Sequence, residues 1–292
     1  MLEFARACLA LVLGCGLAYG GWSVIEPHAD PFSGTLILVN KEHRAPVAMP
    51  KLVFPQISPN KRSNANNIQM QPQAAEALEQ MFAAAQVENG HILYGVSGYR
   101  SAGSQGVIYE RRVEASGDSA KNWVAPGGYS EHQTGLVMDI AGESTLSSGL
   151  SQVFGESDEG IWVAENAHRF GFVVRYQSGW ENITGYNHEP WHLRYVGLEH
   201  AERMYALDIP LEEYLVMLQG ERMNEIRGVL GLEPFFLPMP TYAPTPEPKP
   251  APVLEPANAR TIAPTMTLSP LAVPSMPTGP NPFGTPVPTI TP

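Results

Sequence analysis

The sequence is poor in cysteine and in positive charge. Of its 292 residues only Cys8 and Cys15 are cysteines, and both stand within the first fifteen positions. The rest of the chain therefore has no disulfide and no thiolate metal ligand, and cysteine usage does not decide the compartment. The 18 Lys and Arg residues are outnumbered by 29 Asp and Glu residues, for a formal net charge of −11. Because no basic stretch is available to neutralise phosphates, we expect no nucleic-acid binding.

The beginning of the chain lacks charge over a long run. Residues 7–25 are apolar or small, and Arg6 precedes them. A run of this length can span a bilayer as a helix. We therefore predict an N-terminal membrane anchor within residues 1–25 and a short linker over residues 26–34. A cleaved signal peptide and a lipid anchor on Cys15, which ends the lipobox-like sequence VLGC, are the alternatives.

The end of the chain lacks the composition of a folded domain. From residue 238 to residue 292 proline recurs every few residues, with Thr, Ala and Ser between and few charges. Such a segment favours extended conformations and cannot bury enough surface to fold alone. We predict a disordered Pro-rich tail, for which the sequence names no partner. The globular domain is then expected over residues 35–237.

Hydrophobic patterns within that domain predict separate helices and strands rather than a regular alternation of the two. Such a mixture is typical of an α+β fold in which helices cover a small sheet. The predicted strands are residues 35–39, 92–97, 135–140, 172–176 and 191–196. The predicted helices are residues 74–86, 103–115, 159–170, 199–207 and 211–230, the last interrupted near Gly220.

Two stretches carry the candidate chemistry. Residues 126–140 read PGGYSEHQTGLVMDI and residues 184–197 read TGYNHEPWHLRYVG. The side chains of interest in them are His132, Asp139, Glu189 and His192. Two imidazoles and a carboxylate are a full set of protein ligands for a catalytic zinc, with a fourth position open to water and Glu189 left as a spare acid or base. Taken alone, any one of these residues is as typical of a solvent-exposed loop or surface as it is of a metal site.

The same residues resemble a known family. The pattern S-x-H-x-x-G-x-x-x-D from Ser130 to Asp139, followed by E-x-x-H from Glu189 to His192, is similar to the VanY-type D-alanyl-D-alanine carboxypeptidases, zinc peptidases that trim bacterial peptidoglycan. Further landmarks follow in the same order: LVNK at 38–41, SGYRS at 97–101, Gln105, ENAH at 165–168 and WHLRYV at 191–196. The resemblance spans about residues 36–232 and leaves out both ends.

The resemblance implies a Hedgehog/DD-peptidase-like fold, an antiparallel or mixed sheet with a Zn²⁺ site at its edge. His132, Asp139 and His192 would be the ligands. Glu189 would be the general base, because a fourth protein ligand would close the site. Without the resemblance, Glu189 could equally be a surface carboxylate beside Pro190.

Three further residues are candidate substrate-binding groups. A carboxypeptidase has to recognise a terminal carboxylate, which a guanidinium binds through two parallel hydrogen bonds, and Arg100 is the candidate for this role. Arg100 could instead stabilise the oxyanion or form a structural ion pair. Ser130 and Gln105 are candidates for hydrogen bonds to the substrate, or serve only to shape their loops.

The sequence thus predicts a zinc metalloprotease that removes the terminal D-alanine from peptidoglycan stem peptides. The alternatives are an L,D-carboxypeptidase acting on tetrapeptide stems and a non-catalytic zinc or cell-wall-binding domain. The expected location is the bacterial cell envelope outside the cytoplasm, with the protein anchored in the membrane by its N-terminal segment, or lipid-anchored, or secreted.

Overall fold

The computed structural model describes residues 34–58 and 67–236. The predicted N-terminal anchor, all but the last residue of the linker, and the Pro-rich tail lie outside these residues. Among the helices that are described, none is both long enough and apolar enough to cross a membrane.

The described residues form four β-strands and seven α-helices, together with several short 3-10 turns. The strands are β1 (Leu93–Ser97), β2 (Val137–Gly142), β3 (Phe172–Tyr176) and β4 (Glu189–Tyr195). The helices are α1 (Pro72–Asn89), α2 (Ala102–Ser116), α3 (Val153–Glu156), α4 (Asp158–Asn166), α5 (Glu181–Thr184), α6 (Leu198–Leu207) and α7 (Leu211–Val229).

The four strands form one sheet in the order β1-β2-β4-β3, and every neighbouring pair is antiparallel. The predicted α+β class, with helices covering a small sheet, is confirmed. β2 and β4 occupy the centre of the sheet, where Asp139 and His192 are partners in the register. The expected metal site therefore lies at the sheet, on one face of its two central strands.

Side chains alternate between the two faces of β2 and β4, as the pleat requires. On one face Met138, Ile140 and Leu193 are completely buried in the main core. Each such side chain contributes about 1.5–3 kcal/mol relative to an exposed one. The core is closed by the apolar stripe of α1, which consists of Ala74, Ala75, Leu78, Met81, Phe82 and Ala85.

The opposite face is divided between an apolar end and a polar end. At the apolar end Val173 of β3 and Val196, which follows β4, pack with α6 and α7 in a second cluster. At the polar end the same face carries Asp139, His192 and Arg194. Along β4, His192 and Arg194 thus face away from Leu193.

Two local predictions are wrong. Residues 35–39 form no strand; a 3-10 turn, Gly34–Leu36, leads into a segment without regular structure. Leu36, Leu38 and Val39 are buried, but the carbonyl oxygens of Thr35 and Ile37 accept hydrogen bonds from the Arg194 guanidinium instead of from a neighbouring strand. The predicted break near Gly220 is also absent, because α7 continues through it.

Gly135 ends the 3-10 turn Glu131–Thr134 that leads into β2. Its φ of 69° lies in the left-handed region, where a side chain costs about 1–2 kcal/mol. A Cβ built there would also lie 2.8 Å from Cδ2 of Leu52. The glycine therefore lets the chain turn sharply after His132, so that Asp139 follows on the central strand.

We expect Gly135→Ala to lower the free energy of unfolding by about 1–3 kcal/mol, because it combines left-handed strain with the contact to Leu52. Gly103→Ala is the matched control: Gly103 lies in α2, does not have a positive φ, and would place its new Cβ in open space, with no atom within 4 Å. Gly103→Ala should leave stability unchanged or raise it slightly. Urea denaturation of both variants measures the difference, and equal midpoints would contradict this account of the turn.

Candidate metal centre and active-site cleft

The short turn before β2 presents His132 to the interior. Its ring is 2% exposed, and Nδ1 lies 2.6 Å from the carbonyl oxygen of Gly98. Because that oxygen can only accept, Nδ1 carries the proton and donates. Nε2 is then left with its lone pair directed away from Gly98, as a metal-binding imidazole requires.

The register of β2 and β4 brings the other two candidate ligands to the same place. Nε2 of His132 lies 3.2 Å from Oδ2 of Asp139, and Nδ1 of His192 lies 3.1 Å from Oδ1 of the same carboxylate. One ligand atom from each of the three residues lies within 4.8 Å of the others, and all three side chains are buried. They form the group that the sequence predicted.

The donor set and its spacing fit a zinc ion. At metal–ligand distances of about 2.0–2.1 Å, two ligands at the tetrahedral angle are about 3.3 Å apart, close to the separations of 3.1 and 3.2 Å in this cluster. Nε2 of His132 and Oδ1 of Asp139 are buried and have no hydrogen-bond partner among the described residues. Buried polar atoms normally have a partner, so these two atoms are explained by a cation between them.

The electrostatics of the cluster also favour a cation. Burial, with the positive charge of Arg100 nearby, lowers the pKa of His132 to about 4, so its imidazole is neutral. Burial alone would lower the pKa of His192, but its contacts with Asp139 and Glu131 outweigh burial and raise it to about 9. The carboxylates thus stabilise a proton on His192, and a metal ion would supply the same positive charge.

Glu189 is the first residue of β4 and faces the cluster, with Oε2 3.7 Å from Nδ1 of His192. The pairing of β3 with β4 is irregular next to Glu189. From the pair Val174–Leu193 to the pair Tyr176–Glu189, β3 covers two residues whereas β4 covers four. This irregularity allows Glu189 and His192, three positions apart, to share one face. Glu189 is only 7% exposed, so it is no surface carboxylate, and burial raises its pKa to about 8.

Arg100 stands between β1 and α2, and its backbone N–H donates to the carbonyl oxygen of His132 at 3.2 Å. Its guanidinium lies in the same cleft and forms no ion pair with any described residue. Nε is buried without a hydrogen-bond partner in the described structure, and burial lowers the pKa of the side chain. The alternative of a structural ion pair therefore has no support, and the guanidinium remains available to an anion.

Gln105 and Ser130, the two other candidates for substrate binding, also lie in the cleft. Each has a polar group that could form a hydrogen bond with a ligand. Gln105 donates from Nε2 to the carbonyl oxygen of Ala125 at 2.7 Å, whereas its Oε1 has no partner among the described residues. The amide therefore shapes the loop at one end and leaves an acceptor free at the other. Ser130 is buried in the wall, and its hydroxyl makes no hydrogen bond within the described structure.

All seven predicted site residues line a single cleft with a volume of about 790 Å³. The aromatic side chains of Trp123, Tyr176, Tyr186 and Trp191 complete its inner wall. The cleft thus combines an apolar wall with a few convergent polar groups, as ligand-binding sites commonly do.

One residue that lies against the cluster, Glu131, was not among the site residues predicted from the sequence. Its Oε2 lies 3.6 Å from Nε2 of His192, the nitrogen that faces away from Asp139. Its Oε1 accepts from Nε of Arg175 at 2.9 Å and from Nη1 of Arg194 at 2.6 Å. Burial would raise the pKa of Glu131, but Arg194 and Arg175 hold it well below its usual range.

The network continues from Arg175 to Glu212 at the start of α7, with nitrogen–oxygen distances of 2.6 and 2.9 Å. It links the metal centre to α7, which packs on the same face of the sheet. The feature of the sequence that could have pointed to Glu131 was its position between Ser130 and His132. Its direction could not be read, because side chains in a one-turn 3-10 segment follow no extended period.

Comparisons with known proteins agree with this geometry. The family profile described as VanY, D-alanyl-D-alanine carboxypeptidase, matches residues 67–198. A curated relative, the putative carboxypeptidase YodJ of Bacillus subtilis, is 44% identical over 184 residues, which are 61% of this chain and 66% of the relative. The chain thus spans just under two thirds of the length of that relative.

Solved structures are also similar to the chain, among them the following two. The LdcB LD-carboxypeptidase is 43% identical, with a TM-score of 0.58 over 62% of this chain and 85% of that chain. A mutant of the vancomycin-resistance D,D-pentapeptidase VanY from a VanB-type cassette, in complex with Zn(II), is 33% identical, with a TM-score of 0.52 over 62% of this chain and 98% of that chain. Together with the matching profile, these similarities show that the chain belongs to the VanY family of D-alanyl-D-alanine carboxypeptidases.

Proposed function

We propose that the protein is a zinc-dependent carboxypeptidase that hydrolyses the terminal D-alanine from peptidoglycan stem peptides. The observation that carries the proposal is the buried cluster of His132, Asp139 and His192, with the buried carboxyl of Glu189 beside it and the unpaired guanidinium of Arg100 in the same cleft. Ligands, a base and a carboxylate anchor are the three elements that such a reaction requires.

The two imidazoles and the Asp139 carboxylate would hold the zinc ion. When bound, zinc would polarise the scissile carbonyl and lower the pKa of a water molecule. His132 is suited to holding it because its second ring nitrogen is hydrogen-bonded to the carbonyl oxygen of Gly98, and the second ring nitrogen of His192 lies 3.6 Å from the Glu131 carboxylate. Three protein ligands leave a position open, as a hydrolytic site requires.

The remaining residues would bind the peptide and move the proton. Arg100 would hold the terminal carboxylate through its guanidinium, and Ser130 and Gln105 would orient the backbone of the last residue. Glu189 would take a proton from the attacking water and deliver it to the amine of the departing D-alanine. Its pKa of about 8 suits a group that has to accept and release a proton near neutral pH.

A second candidate is an L,D-carboxypeptidase that shortens tetrapeptide stems. The observation that favours it is the higher identity and TM-score against the LdcB LD-carboxypeptidase than against the VanY structure. Both activities would use the same ligands, base and anchor. They differ in the configuration of the residue before the scissile bond.

Incubation of the purified protein with pentapeptide and tetrapeptide stems distinguishes the two activities. We expect alanine release from the pentapeptide, and loss of release after treatment with a chelator, because the ligands hold the metal reversibly. Release from the tetrapeptide alone would favour the second candidate. If neither peptide releases alanine in the presence of zinc, both are wrong and a non-catalytic zinc or wall-binding domain takes their place.

Substitutions of the proposed ligands and of the proposed base should have different effects on zinc content and turnover. His132→Ala, Asp139→Ala and His192→Ala should each lose zinc and activity together, because two protein ligands rarely hold the ion in a hydrolytic site. Glu189→Gln should keep zinc near one equivalent and lower the turnover rate roughly 10²–10⁴-fold.

Metal content and turnover measured on the same protein batch make this comparison. The peptide should still bind to Glu189→Gln, since the anchor and the metal remain. If Glu189→Ala released zinc as readily as His192→Ala, Glu189 would be a fourth ligand and the site would be closed.

Glu131 should act on the metal through His192. We expect Glu131→Gln to weaken zinc affinity about 10- to 100-fold, because the imidazole loses the carboxylate that orients it. Glu212→Gln is the matched control, since it removes a carboxylate from the same network without approaching His192. It should destabilise the protein but leave zinc affinity nearly unchanged.

Chelator competition measures the affinity of both variants, and thermal denaturation of the metal-free forms measures their stability. Equal losses of zinc affinity in the two variants would mean that the network only holds the fold together.

The same proposal extends to the organisation of the whole chain. We infer an extracytoplasmic enzyme of the bacterial cell envelope, with an N-terminal anchor over residues 1–25, a linker over 26–34, the catalytic domain over 35–237 and a Pro-rich spacer over 238–292. The uncharged apolar run of residues 7–25 supports the anchor. Cell fractionation of the full chain and of Cys15→Ser tests it: release of the variant alone would indicate a lipid anchor, and release of both a cleaved signal.

A further inference from the structure

The cleft extends well beyond the metal centre, along one face of α2. Positions 105, 108, 112 and 115 recur at the spacing of a helical stripe and, together with Arg111, they line the cleft. Leu150, Ser151 and Gln152 line it as well. Its volume of about 790 Å³ lies in the upper part of the range of about 300–1,000 Å³ that accommodates whole small ligands. A single terminal residue would leave much of this space unused.

Two arginines, Arg111 and Arg112, lie in this outer part. Both are exposed, and neither forms an ion pair with another described residue. The two acidic residues nearest to them on the helix, Glu110 and Glu114, do not line the cleft. The carboxylates that do line it, Glu131, Asp139 and Glu189, all belong to the metal centre and its support. In a chain with a net charge of −11, the outer cleft is therefore locally positive.

The distance along α2 sets where a ligand group would meet these arginines. They lie six and seven residues after Gln105, which corresponds to about 9–10 Å along the helix axis. An extended peptide covers that distance with about three residues. A peptide whose last residue is held at Gln105, as proposed above, would thus bring a residue about three positions before its end alongside the pair.

We propose that Arg111 and Arg112 form an anion subsite that binds a free carboxylate in the interior of the substrate peptide. This inference rests on the proposed function and adds a specificity determinant to it. In a peptidoglycan stem, the residue at that distance is the γ-linked D-glutamate, whose α-carboxylate remains free unless it is amidated. The subsite would therefore distinguish carboxylate stems from carboxamide stems.

Two synthetic pentapeptides that differ only in the α-carboxylate or α-carboxamide of the D-glutamyl residue test the subsite. We expect the unsubstituted protein to prefer the carboxylate form by roughly 3- to 10-fold in kcat/KM, the size expected for two solvent-exposed charge pairs. The preference should lie in KM rather than kcat, because the contact is remote from the scissile bond. It should also decrease as salt is added.

The double variant Arg111→Gln/Arg112→Gln should hydrolyse both peptides equally, at the rate that the unsubstituted protein shows with the carboxamide. Arg222→Gln is the matched control: Arg222 is exposed on α7, forms no ion pair with the described residues and does not line the cleft. It should keep the full preference, although it removes positive charge in the same way.

Binding of the same two peptides to Glu189→Ala, measured by calorimetry, separates this inference from the proposed function. A preference for the carboxylate form in binding supports the subsite even if no alanine is released. Equal binding and equal hydrolysis of the two peptides overturns it, and so does a preference that survives in the double arginine variant.

Discussion

The structure depends on the antiparallel pairing of β2 with β4. That register sets Asp139 opposite His192 at the centre of the sheet, on the face turned away from the main core. Because the strands are held by the packing of Met138, Ile140 and Leu193 on α1, the position of the two ligand-type side chains is fixed by burial on the reverse face. A shift of either strand by one residue would turn its own ligand-type side chain into the core, so that Asp139 and His192 would face opposite sides of the sheet.

The polar face of the sheet is stabilised by a set of buried charges that satisfy one another. Glu131 bonds to Arg175 and Arg194, Arg175 bonds to Glu212, and Arg194 bonds to the carbonyl oxygens of Thr35 and Ile37. Buried ions are costly unless each finds partners of good geometry. Here the partners come from distant parts of the chain. The network consequently ties the segment before residue 40 and the start of α7 to the carboxylate that faces His192.

The reaction cleft, by contrast, contains groups that are left unsatisfied. Arg100 is partly buried and has no counter-ion among the described residues, Nε2 of His132 has no hydrogen-bond partner there, and burial holds the pKa of Glu189 near 8. Unsatisfied buried groups destabilise a folded chain, and they are commonly retained where a ligand completes them. The hydrogen bonds of Arg175 and Arg194 to Oε1 of Glu131 thus belong to the support of the site, whereas the unsatisfied groups are those that the proposed metal ion and peptide would complete.

The sequence by itself determined the fold class and most helix positions, and it predicted the three residues that the structure brings together as candidate metal ligands. The reason is that residue chemistry and short-range periodicity are properties of neighbours along the chain. It did not determine that residues 35–39 stay out of the sheet, that Glu131 faces His192, or that Glu189 and His192 share a face across an irregular register. Those features depend on contacts between residues far apart in the chain, such as Arg194 with Ile37 and Val174 with Leu193. Only the tertiary structure decides them, because a local pattern does not specify which distant groups will satisfy a buried charge or an unpaired carbonyl.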